Sequence, residues 1–253
     1  MSGFFNMENP FWNFLGKMCD VIWLTILWFI SLVTAIIIFF LAGASQNILK
    51  ILSSNSATVF MIFGLILLVL TFCVGPATTA FFYVGQKIIK DEEGYITKQY
   101  FHSFSQNFRQ GALIWLIMLV IGLLLGFNLW FYINLNSKVG NVVMFIILFA
   151  VWIYLMVLQY VFAVLSKFDN SIKNIFRFSF ILSVKKFGWT MLMIGVFAAT
   201  MAIGLMVLSP VLLFAPGIII ITDSVIVSRI FKPYIEVSQE QESGKGKQGE
   251  ENV

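Results

Sequence analysis

Acids, bases and nucleophiles are sparse in this sequence. Asp91-Glu92-Glu93 form one acidic triplet, and the single histidine, His102, follows it. Carboxylates and imidazole are general acids and bases. This group could be recruited for hydrolysis or phosphoryl transfer. The same triplet beside Lys90 and Gly94 also reads as a solvated turn, with His102 facing water or lipid headgroups. The two cysteines, Cys19 and Cys73, stand far apart without a CxxC or a His/Cys cluster. No metal site of ordinary ligand spacing is visible, so both read as small buried hydrophobes. Asp223 is an acid inside an apolar run, which makes it a functional candidate by default. Its shallow depth near Arg229 favours a structural cap or an ion pair. The Walker lysine motif is absent, so the chain is not an ATP-driven motor. No catalytic residue, cofactor or metal is expected, and the chain reads as non-enzymatic.

These residues sit among elements built for lipid. The chain has 253 residues, 60% hydrophobic and only 11% charged, with a mean hydropathy of +0.93. Soluble domains carry about 25% charged residues, so a water-facing surface is excluded. The net charge of +4 is distributed between apolar runs, where it sets topology, and no nucleic acid is expected. Apolar runs of about 20 residues cross a bilayer. The sequence predicts an all-α polytopic protein with spans at about 21–43, 57–83, 112–133, 140–165, 188–208 and 211–228. Residues 1–235 read as one transmembrane domain, and the polar tail 236–253 as disordered. The aromatic stretch before residue 21, with Pro10 as a helix start, predicts a short helix along the inner face. Ala42-Gly43-Ala44 has the form of a signal-peptidase site, but the run before it is too long for a signal peptide. It reads as a retained anchor.

Two polar stretches repeat one device. Ile96, Tyr100, Phe104 and Phe108 recur every fourth residue, and so do Ile172, Phe176, Phe180 and Val184, shifted by 76. Each predicts an amphipathic helix at the inner membrane surface, the second capped by Asn170 or Ser171. Lys98, Arg109, Lys173, Arg177, Lys185 and Lys186 form a candidate inner-face basic patch. The 76-residue shift is either an internal repeat or chance patterning of membrane sequence. Gly122 and Gly126 have the spacing of close helix contact.

Gly75-Pro76 interrupts the second run. Proline removes a backbone donor and clashes one turn back. A kink or break is therefore predicted, with Thr78 and Thr79 placed to meet the freed carbonyls. Such a break serves packing or lines a solute site.

Of 16 Lys and Arg residues, only Lys50 and Lys138 fall in the expected outer loops. The positive-inside rule then places both termini in the cytoplasm of a cell membrane.

Three stretches carry a family resemblance. They are FFNMENPFWNFLGKMCD near the start, GPATTAFFYVGQKIIKDEEGYITKQYFHSFSQNFRQ in the middle, and VSRIFKPYIE near the end. Together they resemble the YesL-like family of bacterial membrane proteins, a domain-of-unknown-function family frequent in Gram-positive bacteria. The resemblance implies a polytopic protein of this length and a gene setting near carbohydrate uptake systems. It supplies no catalytic residues. The run from Ile36 to Leu70 is longer here than is usual for the family. Two functions are open. One is an accessory or scaffold protein offering basic helices to anionic lipid or to a membrane partner, such as a sugar transporter subunit. The other is a small-solute carrier or channel built around Gly75-Pro76 and the last two spans.

Overall fold

The structure is a computed structural model. It describes the backbone of residues 10–43, 56–90, 92, 94–134, 138–168, 170–206 and 211–250, and the side chains of 15–33, 72–90, 92, 94–134, 140–168, 170–205 and 214–233. Every regular element among them is an α-helix. In order these are α1 Pro10–Gly43, α2 Ser56–Ile89, α3 Ile96–Gln106, α4 Phe108–Asn134, α5 Lys138–Leu165, α6 Ile172–Lys185, α7 Phe187–Met206 and α8 Val211–Glu250.

Five stretches are long and apolar enough to cross a membrane: Leu15–Val33, Phe108–Asn134, Gly140–Leu165, Phe187–Leu205 and Phe214–Pro233. The expected span 57–83 lies within α2, where the side chains of 56–71 fall outside the described residues. The expected outer loop at 44–56 lies almost wholly outside them as well. The inner-face helix expected before residue 21 is not separate. It is the first part of α1, which runs unbroken from Pro10. α8 likewise stays helical to Glu250, across most of the stretch the sequence marks as disordered. The Glu, Gln and Lys residues there are good helix formers that extend a helix already nucleated by the span.

α2 is the hub of the bundle. It packs against α1, α3, α4, α5 and α8. Between Gly75 and Ile88 most of its side chains are buried, including Phe81, Phe82 and Val84. The core concentrates at this end. Residues 160–165 of α5 and the following Ser166 are all buried, as are Ile175 and Leu182 of α6 and Ile226, Val227, Ile230 and Phe231 of α8. α4 and α5 extend away from it with large exposed apolar surfaces, such as Phe127, Trp130, Phe145 and Phe149. Such surfaces suit lipid, which solvates them as well as protein does.

The 76-residue shift reappears in the element boundaries. α2 ends at Ile89 and α5 at Leu165; α3 begins at Ile96 and α6 at Ile172. Each short helix then joins the next long one through one non-helical residue, Asn107 or Lys186. Ser103 and Ser179, again 76 apart, are both buried. A long–short–long helix unit thus occurs twice.

The short helices are amphipathic, but their buried faces depart from the expected series. In α3, Tyr100 is fully buried and Phe104 packs on the core, while Phe108 of α4 is exposed. In α6 the buried residues are Ile175, Ser179, Leu182 and Ser183, and Phe180 and Val184 point outward. A step of four residues turns the helix by about 40° beyond a full turn, so a strict every-fourth series drifts off any one face. Ser171 does occupy the N-cap of α6, without a side-chain capping bond.

Gly111, just past the end of α3, abuts Gly75, and Gly75 is 14 residues up α2 from Ile89, a rise of about 21 Å. α3 therefore runs back along α2. The Tyr100 hydroxyl is 3.0 Å from Ser31 Oγ of α1, and Trp23 Nε1 donates to Thr97 Oγ1 at 3.0 Å. Burial pushes the Tyr100 phenol above its ordinary pKa, so it stays a neutral donor. Phe104 stands between Tyr100 and Phe108, with ring centroids 6.4 and 5.6 Å away. Phe104→Asp should cost about 2–3 kcal/mol of thermal stability or prevent assembly. Gln106→Asp, on the exposed side, should be tolerated. Equal melting temperatures would remove the assigned face.

Candidate functional site

The expected break at Gly75-Pro76 is absent: α2 is continuous through Pro76. Thr78 Oγ1 donates to the Val74 carbonyl at 2.7 Å and Thr79 Oγ1 to the Gly75 carbonyl at 2.9 Å. The carbonyl left without a donor by Pro76 is that of Phe72, so the two threonines bond later carbonyls and not the freed one itself. Gly75 marks a helix crossing. A Cβ there would overlap the Gly111 carbonyl and stand 2.8 Å from Trp115 Cβ. A Cβ on Gly111 would lie 2.9 Å from Pro76 N. Only two glycines let the α2 and α4 backbones approach this closely. The motif sits at a close helix crossing, where Trp28 Nε1 adds a 3.4 Å bond to Thr78 Oγ1. Of the other flagged glycines, Gly122 faces Tyr154, whereas nothing lies within 4 Å of a Cβ on Gly126.

Asp223 is where the sequence and the structure diverge most. It is 1% exposed, and neither carboxylate oxygen accepts a hydrogen bond from the described residues. The cap or ion pair with Arg229 is not formed, and Arg229 is exposed. The two are six positions apart, which places them about 120° apart around α8. The next residue, Ser224, is fully buried and also without a partner for Oγ, which faces Gly85 of α2. The Tyr160 hydroxyl of α5 is part of a separate buried hydrogen-bonded chain. It is 3.0 Å from Thr190 Oγ1, which bonds the Ser183 carbonyl at 2.9 Å. α5, α6 and α7 are thereby knotted together. A further buried pair, Gln86 Nε2 to Ser166 Oγ at 3.2 Å, joins α2 to α5.

The basic residues divide between two elements. Lys98 and Arg109 are exposed at α3 and the start of α4, which belong to the side of α1 and α2. Lys173, Arg177 and Lys185 are exposed and Lys186 half-exposed along α6, on the side of α5 and α7. Between the two halves lies a cationic turn missed by the sequence reading, formed by Lys87, Lys90 and Lys167. Partial burial, then Lys90, push the Lys167 ammonium below its ordinary value, with Glu92 opposing. Lys87 sits 4.6 Å from the centroid of the Tyr83 ring. Charge spacing along the chain could not reveal this cluster, because Lys167 joins it only through the packing of α5 on α2.

His102 is exposed on α3, and Glu92 is exposed in the turn; Asp91 and Glu93 lie outside the described residues. No group of three His, Cys, Asp or Glu residues close enough to hold a metal occurs among the described residues. Cys73 is half-buried as expected for a small hydrophobe, but Cys19 is exposed on α1.

Residues 55–129 match a family model described as "Protein of unknown function, DUF624". The match covers α2, α3 and most of α4, under a third of the chain. It supports an uncharacterised-domain family for this membrane-type, all-helical protein. No curated protein and no solved structure matches the chain.

Proposed function

We propose that this chain is a non-enzymatic accessory or scaffold component of a bacterial cell membrane, with both termini in the cytoplasm. The YesL-like resemblance points to carbohydrate uptake as its setting and to a sugar transporter subunit as its partner. The supporting observation is the clamping of α3 and α6. Both are fixed by buried contacts at the packed end of the bundle, while Lys98, Arg109, Lys173, Arg177 and Lys185 project outward. Helices held in place set these cations at fixed positions, which suits docking to an acidic protein surface of complementary charge. Purification from native membranes tests this. A transporter subunit should copurify with the wild type and be lost from Lys98→Gln/Arg109→Gln/Lys173→Gln/Arg177→Gln. The same preparation from both proteins would overturn the reading.

A second reading, a small-solute carrier or channel, draws support from Asp223. An unpartnered acid within a span is costly to keep, and substrate pathways are one reason to keep it. Solute flux by the isolated protein in liposomes would favour this reading.

A further inference from the structure

Asp223 stands in the last span, Phe214–Pro233, with nothing bonded to it that would balance a charge. It is 1% exposed, and both carboxyl oxygens lack a hydrogen-bond partner among the described residues. α8 packs on α7, α2, α1 and α5. α7 has no ionisable residue in its sequence. On α2, Lys87 lies over the Tyr83 ring. On α5, the Tyr160 hydroxyl is 3.0 Å from Thr190 Oγ1, and the Tyr154 hydroxyl donates to the Met118 carbonyl at 3.1 Å. α1 carries Lys17 and Asp20 in its first turns, and on α8 itself Arg229 and Lys232 are exposed. None of these groups bonds an Asp223 oxygen.

A carboxylate in this place would need one of them. Burying an unpaired charge in an apolar interior costs far more than burying a neutral acid, so such a group takes up a proton instead. A metal ion would also balance the charge, but it needs several ligands. No group of three His, Cys, Asp or Glu residues that could hold one occurs among the described residues. A proton needs no further ligand and no cavity. Ser224 adds a second polar group at the same level of α8. It is fully buried, its Oγ has no partner, and a Cβ on Gly85 of α2 would stand 3.1 Å from that oxygen. Consecutive residues thus leave three buried oxygens unused in the closed bundle. We infer that Asp223 is a proton-binding site: the acid holds one proton in the closed bundle and exchanges it only when the helices around it part. In a carrier the proton would be the ion that moves with the solute. That use rests on the carrier reading, whereas the proton site does not.

Infrared spectroscopy of the full chain in lipid at neutral pH tests the inference. Wild type should show the carbonyl stretch of a protonated carboxyl, which is separate from carboxylate and amide bands. The band should be lost from Asp223→Asn and kept in Asp20→Asn, whose acid also lies in a span. Asp223→Leu serves equally if Asp223→Asn fails to fold. After transfer to deuterium oxide the wild-type band should shift slowly, because exchange waits for opening. An immediate shift overturns the enclosure. A wild type without the band overturns the proton, and so does a folded Asp223→Asn that keeps it. A band that appears only when sodium is replaced by choline means that a metal ion holds the acid, which also overturns it. The band reads the proton itself, so absence of solute flux in liposomes removes the carrier reading and leaves the proton site standing.

Discussion

Gly75→Ala should unfold the protein at a markedly lower temperature than wild type, while Gly126→Ala should not. The two substitutions add the same methyl group to long apolar helices, so helix propensity favours alanine in both, by up to about 1 kcal/mol. Surroundings decide the difference. At Gly75 the new carbon would overlap the Gly111 carbonyl and reach 2.8 Å from Trp115 Cβ. The obstacle is the backbone of α4, which cannot rotate aside as a side chain can. α2 and α4 must then separate, and α2 is the helix on which five others pack. Overpacking commonly costs about 1–3 kcal/mol; this case should reach or exceed the top of that range. At Gly126 there is nothing within 4 Å. Gly111→Ala should resemble Gly75→Ala, since it meets Pro76 from the other side. Thermal unfolding in one detergent, read by circular dichroism, compares all three. Gly75→Ala melting together with Gly126→Ala would show that the crossing is not close in solution.

The Gly75 case also shows what could be read in advance. A glycine next to a proline in an apolar run signalled a special position. Its partner, 36 residues away in the chain, did not, because glycines recur by chance in membrane segments. Local chemistry was legible where it acts over a few residues. Pro10 begins α1, and the stop at Ile89 follows Lys87, the first lysine of the polar turn. The 76-residue shift was legible too, as a match of element boundaries, since element lengths are written along the chain. The faces of α3 and α6 were only half legible. Spacing of four finds a helix, but alternating threes and fours fixes its buried side, as Ile172, Ile175, Ser179 and Leu182 do here. The site was the least legible. Arg229 looked like a partner for Asp223 by distance along the chain, whereas angle around the helix sets side-chain meetings. Burial of Asp223 depends on helices distant in the chain packing on α8, as α2 and α7 do.

That burial leads to an expectation of unusual sign. Asp223→Leu should make the protein more stable. Most core substitutions destabilise, and removing a paired acid would do so strongly. Asp223, however, has no hydrogen-bond partner among the described residues for either oxygen, so its removal breaks no observed bond. What it removes is a buried polar group left unsatisfied, which typically costs about 1–3 kcal/mol. Leucine should return much of that sum, because its neighbours Ile219, Ile220, Ile226 and Val227 already form an apolar wall. Asp223→Asn keeps the shape but leaves an amide unsatisfied, so its gain should be smaller. Melting of the three proteins in the same lipid or detergent gives the order. A loss of stability in Asp223→Leu would mean that a partner holds the acid, and the argument for a solute pathway would lose its basis. A gain would mean that the chain carries an acid which costs it stability, and functional sites are where such costs are kept. Function then decides between the two readings. If stabilised Asp223→Leu loses solute flux in liposomes, the protein is a carrier or channel and α3 and α6 are its supports. If no flux exists to lose and the copurifying subunit stays bound, the acid belongs to the interior of a scaffold whose working surface is the cationic end.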